Sequence, residues 1–223
     1  LHVGHGRGAA YGSALVSLLR HAGYQVDAEY YVNDAGRQMD ILTVSVWLRY
    51  LALCGESFTF PSNGYQGDYI ITTARALLSE QGENLRASAT EVFANVSADQ
   101  VLDATGHVIS GDKEAHIDDI IVNARQLLGT DKYRLILDRV LHDILVDIKE
   151  DLAEFGVHYD NWFSERSLMD TGIVDAALAR LEAAGKLYEQ GGAIWFRSTD
   201  YGDAKDRVVV RDNGIKTYFA SDI

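Results

Sequence analysis

"LHVGHGRGAAYG", residues 1–12, sets two histidines three positions apart and follows them at once with glycine and alanine. From Gly8 to Ala22 small and apolar residues dominate. Leu15, Leu18, Leu19 and Ala22 fall at helical spacing before Gly23, which predicts a buried helix closed by a C-terminal glycine. "YQVDAEYYV" (24–32) is rich in residues that favour strands, and Asn33-Asp34-Ala35-Gly36 ends it as a turn. A glycine-dense turn, a helix, a strand and a second turn make half of a Rossmann-like unit, so the expected fold class is α/β.

Further along, the pattern predicts helices over 37–53 and near 70–79, separated by the proline- and glycine-bearing "FPSNGYQGDY" (60–69). Residues 81–130 are polar and irregular, with helical candidates at 89–95 and 116–128, and read as a solvated, mostly helical insertion. Ile136, Leu137, Val140, Leu141, Ile144, Leu145, Ile148 and Leu152 recur at three and four residues, an amphipathic helix that stops at Gly156. A helix over 173–184 follows, then a hairpin about Gly191-Gly192, then a strand-turn-strand about Asn213-Gly214. The expected organisation is a first part of a catalytic domain over 1–80 and the insertion over 81–130. Residues 131–223 would then hold the rest of the insertion region and the start of the domain's second half.

Composition narrows the function classes. Of 223 residues, 47% are hydrophobic and one is proline (Pro61), which fits a globular chain with ample core material. Thirty-three acidic against 20 basic residues give a net charge of −13, so any grip on nucleic acid must be local. A single cysteine, Cys54, forms no internal disulfide, and no apolar run approaches the roughly 20 residues of a membrane span. The expected setting is the cytoplasm, with no membrane partner and a monomeric chain.

A helix N-terminus presents unpaired N–H groups and the positive end of the macrodipole, which together attract phosphate. His2 and His5, three apart, can project to one side there, and Gly4 removes a side chain that would hold a flat base or ribose off the backbone. Imidazole N–H groups can donate to phosphate oxygens as negative charge builds on them. Alone, so short a pattern supports nucleotide binding and nothing narrower. His21, His107, His116, His142 and His158 form no cluster at ligand spacing, so no bound metal site is expected.

Five stretches, in order, carry a resemblance over essentially the whole chain: "LHVGHGRGAAYG", "YYVNDAGRQ" (30–38), "FPSNGYQGDYI" (60–70), "GAIWFRSTDYGDAKDRVVVR" (192–211) and "TYFASDI" (217–223). They resemble the class I aminoacyl-tRNA synthetases, and among these the bacterial form of arginyl-tRNA synthetase. The resemblance implies an incomplete Rossmann-like class I synthetase core. It also implies an activity that joins L-arginine to ATP as arginyl-adenylate and passes it to tRNA(Arg), with Mg²⁺ accompanying the ATP. His2, Gly4 and His5 match the motif that holds ATP, the histidines steadying charge on the α-phosphate.

Tyr218 and Asp222 match the family's Tyr-x-x-x-Asp pair for the arginine side chain. A guanidinium carries five planar donors and a permanent charge, which suits a carboxylate and a tyrosine. Asn33 and Gln38 lie in a turn where a weaker contact to arginine or adenosine is expected. In some relatives an asparagine at the position of Tyr30 helps hold the amino acid; here it is tyrosine, so that contact is not carried over. "DYGDAKD" (200–206) is a family signature, expected to stabilise its own loop.

The chain starts at Leu1 and stops before any lysine-bearing signature loop, so it is expected to be a piece of a larger enzyme, inactive alone. Two alternatives stay open on the residues: an H-x-G-H nucleotidyltransferase, which has no use for Tyr218 and Asp222, and a synthetase-like binding module without catalysis.

Overall fold

The computed structural model describes residues 2–223. In chain order its elements are α1 (Val3–His21), β1 (Glu29–Val32), α2 (Arg37–Leu53), α3 (Asp68–Gln81), α4 (Ala89–Val92), β2 (Val101–Leu102), β3 (Val108–Ser110) and α5 (Lys113–Glu154). There follow β4 (Asn161–Ser164), α6 (Glu165–Asp170), α7 (Ile173–Ala183), β5 (Leu187–Gln190), β6 (Ala193–Phe196), β7 (Arg207–Val210) and α8 (Tyr218–Asp222). They form two compact units: Leu1–Ala28 with Ala35–Asp160, and Glu29–Asp34 with Asn161–Ile223.

The first unit is built round α2. Ile41, Leu42, Val44, Val46, Trp47, Leu48, Tyr50 and Leu51 are all buried, so this helix is apolar on nearly every side, the pattern of a central helix. Its polar groups are settled internally. Trp47 Nε1 donates to Leu85 O at 2.7 Å, and Tyr50 OH donates to Gly82 O while accepting from Leu85 N at 3.3 Å. Against α2 pack Ile70, Ala74 and Leu77 of α3, and Ile117, Ile120, Ala124, Ile136 and Val140 of α5.

The stretch expected to be a solvated insertion shares this core. Leu85, Val92, Ile117, Ile120 and Ala124 lie in the same buried cluster as Trp47. Its polarity belongs to the outer faces of α4 and α5, whose apolar residues are too sparse to announce a core on their own. The two helices expected before and after residue 129 both form, as two arms of α5 separated at Gly129, whose φ of 66° and ψ of 173° lie outside the helical region. Asp40 braces that break, accepting Arg125 at 2.5 Å and Tyr133 OH at 2.8 Å from its two sides.

Two further expectations about this unit are corrected. The helix after the histidines forms, but it is not buried: Tyr11 is 73% and Leu18 68% exposed, and Ala9 alone is buried. Its glycines and alanines leave little side chain to pack. The strand expected over 24–32 shortens to 29–32, because side chains take up the preceding backbone. Arg20 donates to Val26 O, and Asp160 accepts both Arg20 and the Ala28 N–H.

In the second unit β1 and β4 pair in parallel, from Glu29 with Asn161 to Val32 with Ser164. Tyr30 stacks on Trp162 at 4.4 Å along this ladder. The hairpin of β5 and β6 turns at Gly191 and Gly192, both with positive φ (61° and 78°), as a tight hairpin of this hand requires. β7 joins it antiparallel, but the strand expected after Asn213-Gly214 reduces to one bridge, Val210 with Lys216, and the chain turns into α8. Val174, Leu178, Val209 and Ala220 form a small core. The class is α/β with small sheets, and no helix among the described residues is long and apolar enough to cross a membrane.

Candidate functional site

His2 is the N-cap of α1 and His5 its third residue. His2 Nδ1 accepts the Gly4 N–H at 3.0 Å, and His5 Nδ1 accepts the His2 N–H at 3.3 Å, a reciprocal capping box made of imidazoles. The rings stack with centroids 3.7 Å apart. An Nδ1 that accepts carries no proton, so each neutral ring holds its proton on Nε2, as a donor on the side away from the helix. Both residues are exposed. Gly4 has a local reason the sequence did not disclose: a Cβ there would stand 2.8 Å from His2 Cε1, so glycine is what lets the ring fold over the helix start. Gln38, also in this unit, accepts from Tyr65 OH at 3.1 Å.

The other candidates belong to the second unit. α8 seats itself through Ala220, which is buried, and Phe219, whose ring meets Phe196. Tyr218 and Asp222, four apart, share the opposite face, and Tyr218 is 72% exposed. Asn33 is exposed at the end of β1, beside Asp34, which is buried at 5% exposure. Asp34 accepts Ser164 Oγ at 2.7 Å and the Arg166 N–H at 2.9 Å, and so ties the turn after β1 to the start of α6.

Sequence reasoning missed Glu165. It opens α6 behind the N-cap Ser164, where an acid looks like an ordinary helix-dipole partner. It is 6% exposed, and among the described residues it accepts no hydrogen bond and pairs with no cation. Burial pushes its pKa up, and the charges of Asp34 and Asp222 push it further. The Tyr31 hydroxyl is raised for the same reasons, by burial first and then by Glu165, Asp222 and Asp34. Asp34, Glu165 and Asp222 thus act on one another or on Tyr31 within this unit, and among the described residues none of the three carboxylates pairs with a cation. The arrangement suits a multidentate organic cation; no group of three or more His, Cys, Asp or Glu among the described residues is set to hold a metal ion.

The "DYGDAKD" loop is satisfied by itself. Asp206 accepts Thr199 N, Thr199 Oγ1 and Tyr188 OH, Ser198 Oγ donates to Lys205 O, and Asp203 takes Arg207 through two nitrogens at 2.6 and 2.8 Å.

Known proteins give these positions a context. No family model matches the chain. Over all 223 residues it is 63% identical to the arginine–tRNA ligase of Hydrogenovibrio crunogenus and 56% identical to that of Thioalkalivibrio sulfidiphilus. It spans 38% and 37% of their lengths. Among solved structures, an arginyl-tRNA synthetase from Campylobacter jejuni superposes with a TM-score of 0.67 at 31% identity, covering all of this chain and 40% of that one. Arginyl-tRNA synthetase from Plasmodium falciparum, at 12% identity and a TM-score of 0.58, shares the fold over 99% of this chain.

Proposed function

We propose, for a chain that matches a part of the arginine–tRNA ligases from end to end, that it carries the amino-acid-recognising and ATP-facing portions of such an enzyme. The chain spans about 38% of its relatives' length, so activation of arginine by ATP and its transfer to tRNA are proposed for the longer protein. The observation that carries the reading is Glu165, buried without a hydrogen bond or counter-charge among the described residues, its pKa raised by that burial and then by Asp34 and Asp222, in a chain so similar to arginine–tRNA ligases.

In this reading the guanidinium enters the second unit as the missing cation. Asp222 accepts two of its planar N–H groups, and Tyr218 orients it from one helical turn earlier. Glu165, whose pKa is raised by burial and then by the charges of Asp34 and Asp222, gains a partner as the cation arrives, and Asp34 fixes the backbone on which Glu165 stands. Asn33 and Gln38 remain weaker candidates for substrate contact.

His2 and His5 direct Nε2–H groups outward from the N-terminus of α1, where the α-phosphate of ATP gains charge as the arginine carboxylate attacks it. Gly4 makes that ring position possible. Mg²⁺ would be carried by the nucleotide's phosphates, since the residues present form no metal cage. The Rossmann-like assignment of residues 1–80 and a cytoplasmic, membrane-free setting belong to the same proposal. A nucleotidyltransferase or a non-catalytic module gives the acidic group no task.

Calorimetry on the full-length protein tests the reading. Asp222→Ala is expected to weaken arginine binding roughly 100-fold while leaving an ATP analogue within about 3-fold of wild type. Unchanged arginine affinity would remove Asp222 from the site.

A further inference from the structure

Several guanidinium groups in this acidic chain find carboxylates. Arg86 meets Glu56 and Glu83, Arg125 meets Asp40, and Arg139 meets Glu80 and Asp143. Arg49, on α2, does not. Its Cζ lies 3.8 Å from the centroid of the Phe60 ring, and among the described residues it makes no hydrogen bond or ion pair. Its Nε is sealed from solvent without an acceptor, while its terminal nitrogens keep solvent access.

The seat under Arg49 is rigid. Residues 61–64 form a turn closed by Gly64 N to Pro61 O at 3.1 Å, and Gly64 sits so near Phe60 that a Cβ there would stand 2.7 Å from its Cε1. Asp99 holds Ser62 through its N–H and Oγ, Glu114 holds Asn63 Nδ2 at 3.0 Å, and Ser45 Oγ takes the Tyr65 N–H. The carboxylates bound to this turn are thus already engaged, Glu114 also by Arg37. The carboxylates that hold this turn are spent on it, and Arg49 rests on the Phe60 ring with no acid of its own among the described residues.

We propose that Arg49, stacked on Phe60, is a contact for a backbone phosphate of the RNA substrate. The inference rests on the reading that the longer protein handles tRNA. A phosphodiester offers two oxygens to the fork of a guanidinium, and a guanidinium already immobilised on a ring loses little freedom in binding it. With a net charge of −13, the chain can hold RNA only through such local cations.

The test is tRNA affinity of the full-length protein as a function of salt, beside arginine affinity measured without RNA. Arg49→Gln is expected to weaken tRNA binding roughly ten-fold and to reduce the slope of log K against log salt by about 1, with arginine affinity unchanged. Arg49→Lys is expected to keep the slope and recover part of the affinity. Wild-type affinity and slope in Arg49→Gln would overturn the proposal and leave Arg49 an internal brace. Should that variant not fold, Arg49→Lys decides, because affinity equal to wild type would show that the fork contacts nothing. A wild type that binds no tRNA would sink the parent reading instead, a separate outcome.

Discussion

α2 and α8 put opposite uses of a helix side by side. α2 buries Trp47, Leu48, Tyr50 and Leu51 completely and closes its polar atoms on neighbouring backbone. α8, five residues long, hides Ala220 and turns Tyr218 and Asp222 outward. The first helix supplies stability and offers a ligand only its two margins, Gln38 at its start and Arg49 near its end. The second is supported by a small core and stands in a unit whose carboxylates repel one another, an arrangement that loses stability in the empty protein and gains it when a cation arrives. The contrast would put the proposed arginine contact where the packing is thinnest.

The largest effect should come from the packed side. Trp47→Ala removes a fully buried ring and orphans the Leu85 carbonyl, and should cost about 3–5 kcal/mol in urea unfolding. A loss below about 1 kcal/mol would mean that α2 is not the centre of that unit.

Glu165→Gln probes the other side. In the folded chain the Glu165 pKa stands above the value it has when unfolded, so the folded state holds its proton to higher pH. Stability should therefore fall as pH rises from the ordinary carboxylate range through the raised folded value, then level off. Glutamine abolishes that slope and should stabilise the protein by about 1 kcal/mol at pH 7, as removal of an unpartnered buried charge should. It should also weaken arginine binding. Thermal melts between pH 4 and 8 provide the check, and a steeper slope in the variant would refute the assignment.

The smallest effect is expected at Asp203, whose pairing with Arg207 lowers its pKa to about 2. That contribution is present above the ordinary carboxylate range and is lost as pH falls toward 2. The pair is exposed, so Asp203→Asn should move the melting midpoint by only about a degree or two at neutral pH. A large shift would make the "DYGDAKD" loop more than self-supporting.

Much of the body was legible because its signals are local. α2 runs over the residues its apolar pattern predicts, α3 and α7 lie within two residues of theirs, and Gly191-Gly192 turns the hairpin as expected. What escaped depends on distant partners. β4 is a strand because "NWFS" pairs with β1, 129 or more residues earlier, and a parallel pairing leaves no local periodicity. The exposure of α1 escaped because its apolar spacing says which residues share a face and not what that face meets. Of the proposed site, His2, His5, Tyr218 and Asp222 were named through resemblance. Asp34 read as a turn residue, and Glu165 gave no signal. Their proximity to Asp222 is produced by the β1–β4 pairing and by α8 folding beside them, which no short window contains.

The central claim is that the acidic group of the second unit recognises a positive charge. Titrating the full-length protein with arginine and with citrulline, its uncharged counterpart of nearly the same shape, tests this most directly. The account predicts that arginine binds, that citrulline binds at least roughly 100-fold more weakly, and that arginine affinity declines as pH falls through the raised Glu165 range. Equal affinity for the two ligands would contradict it.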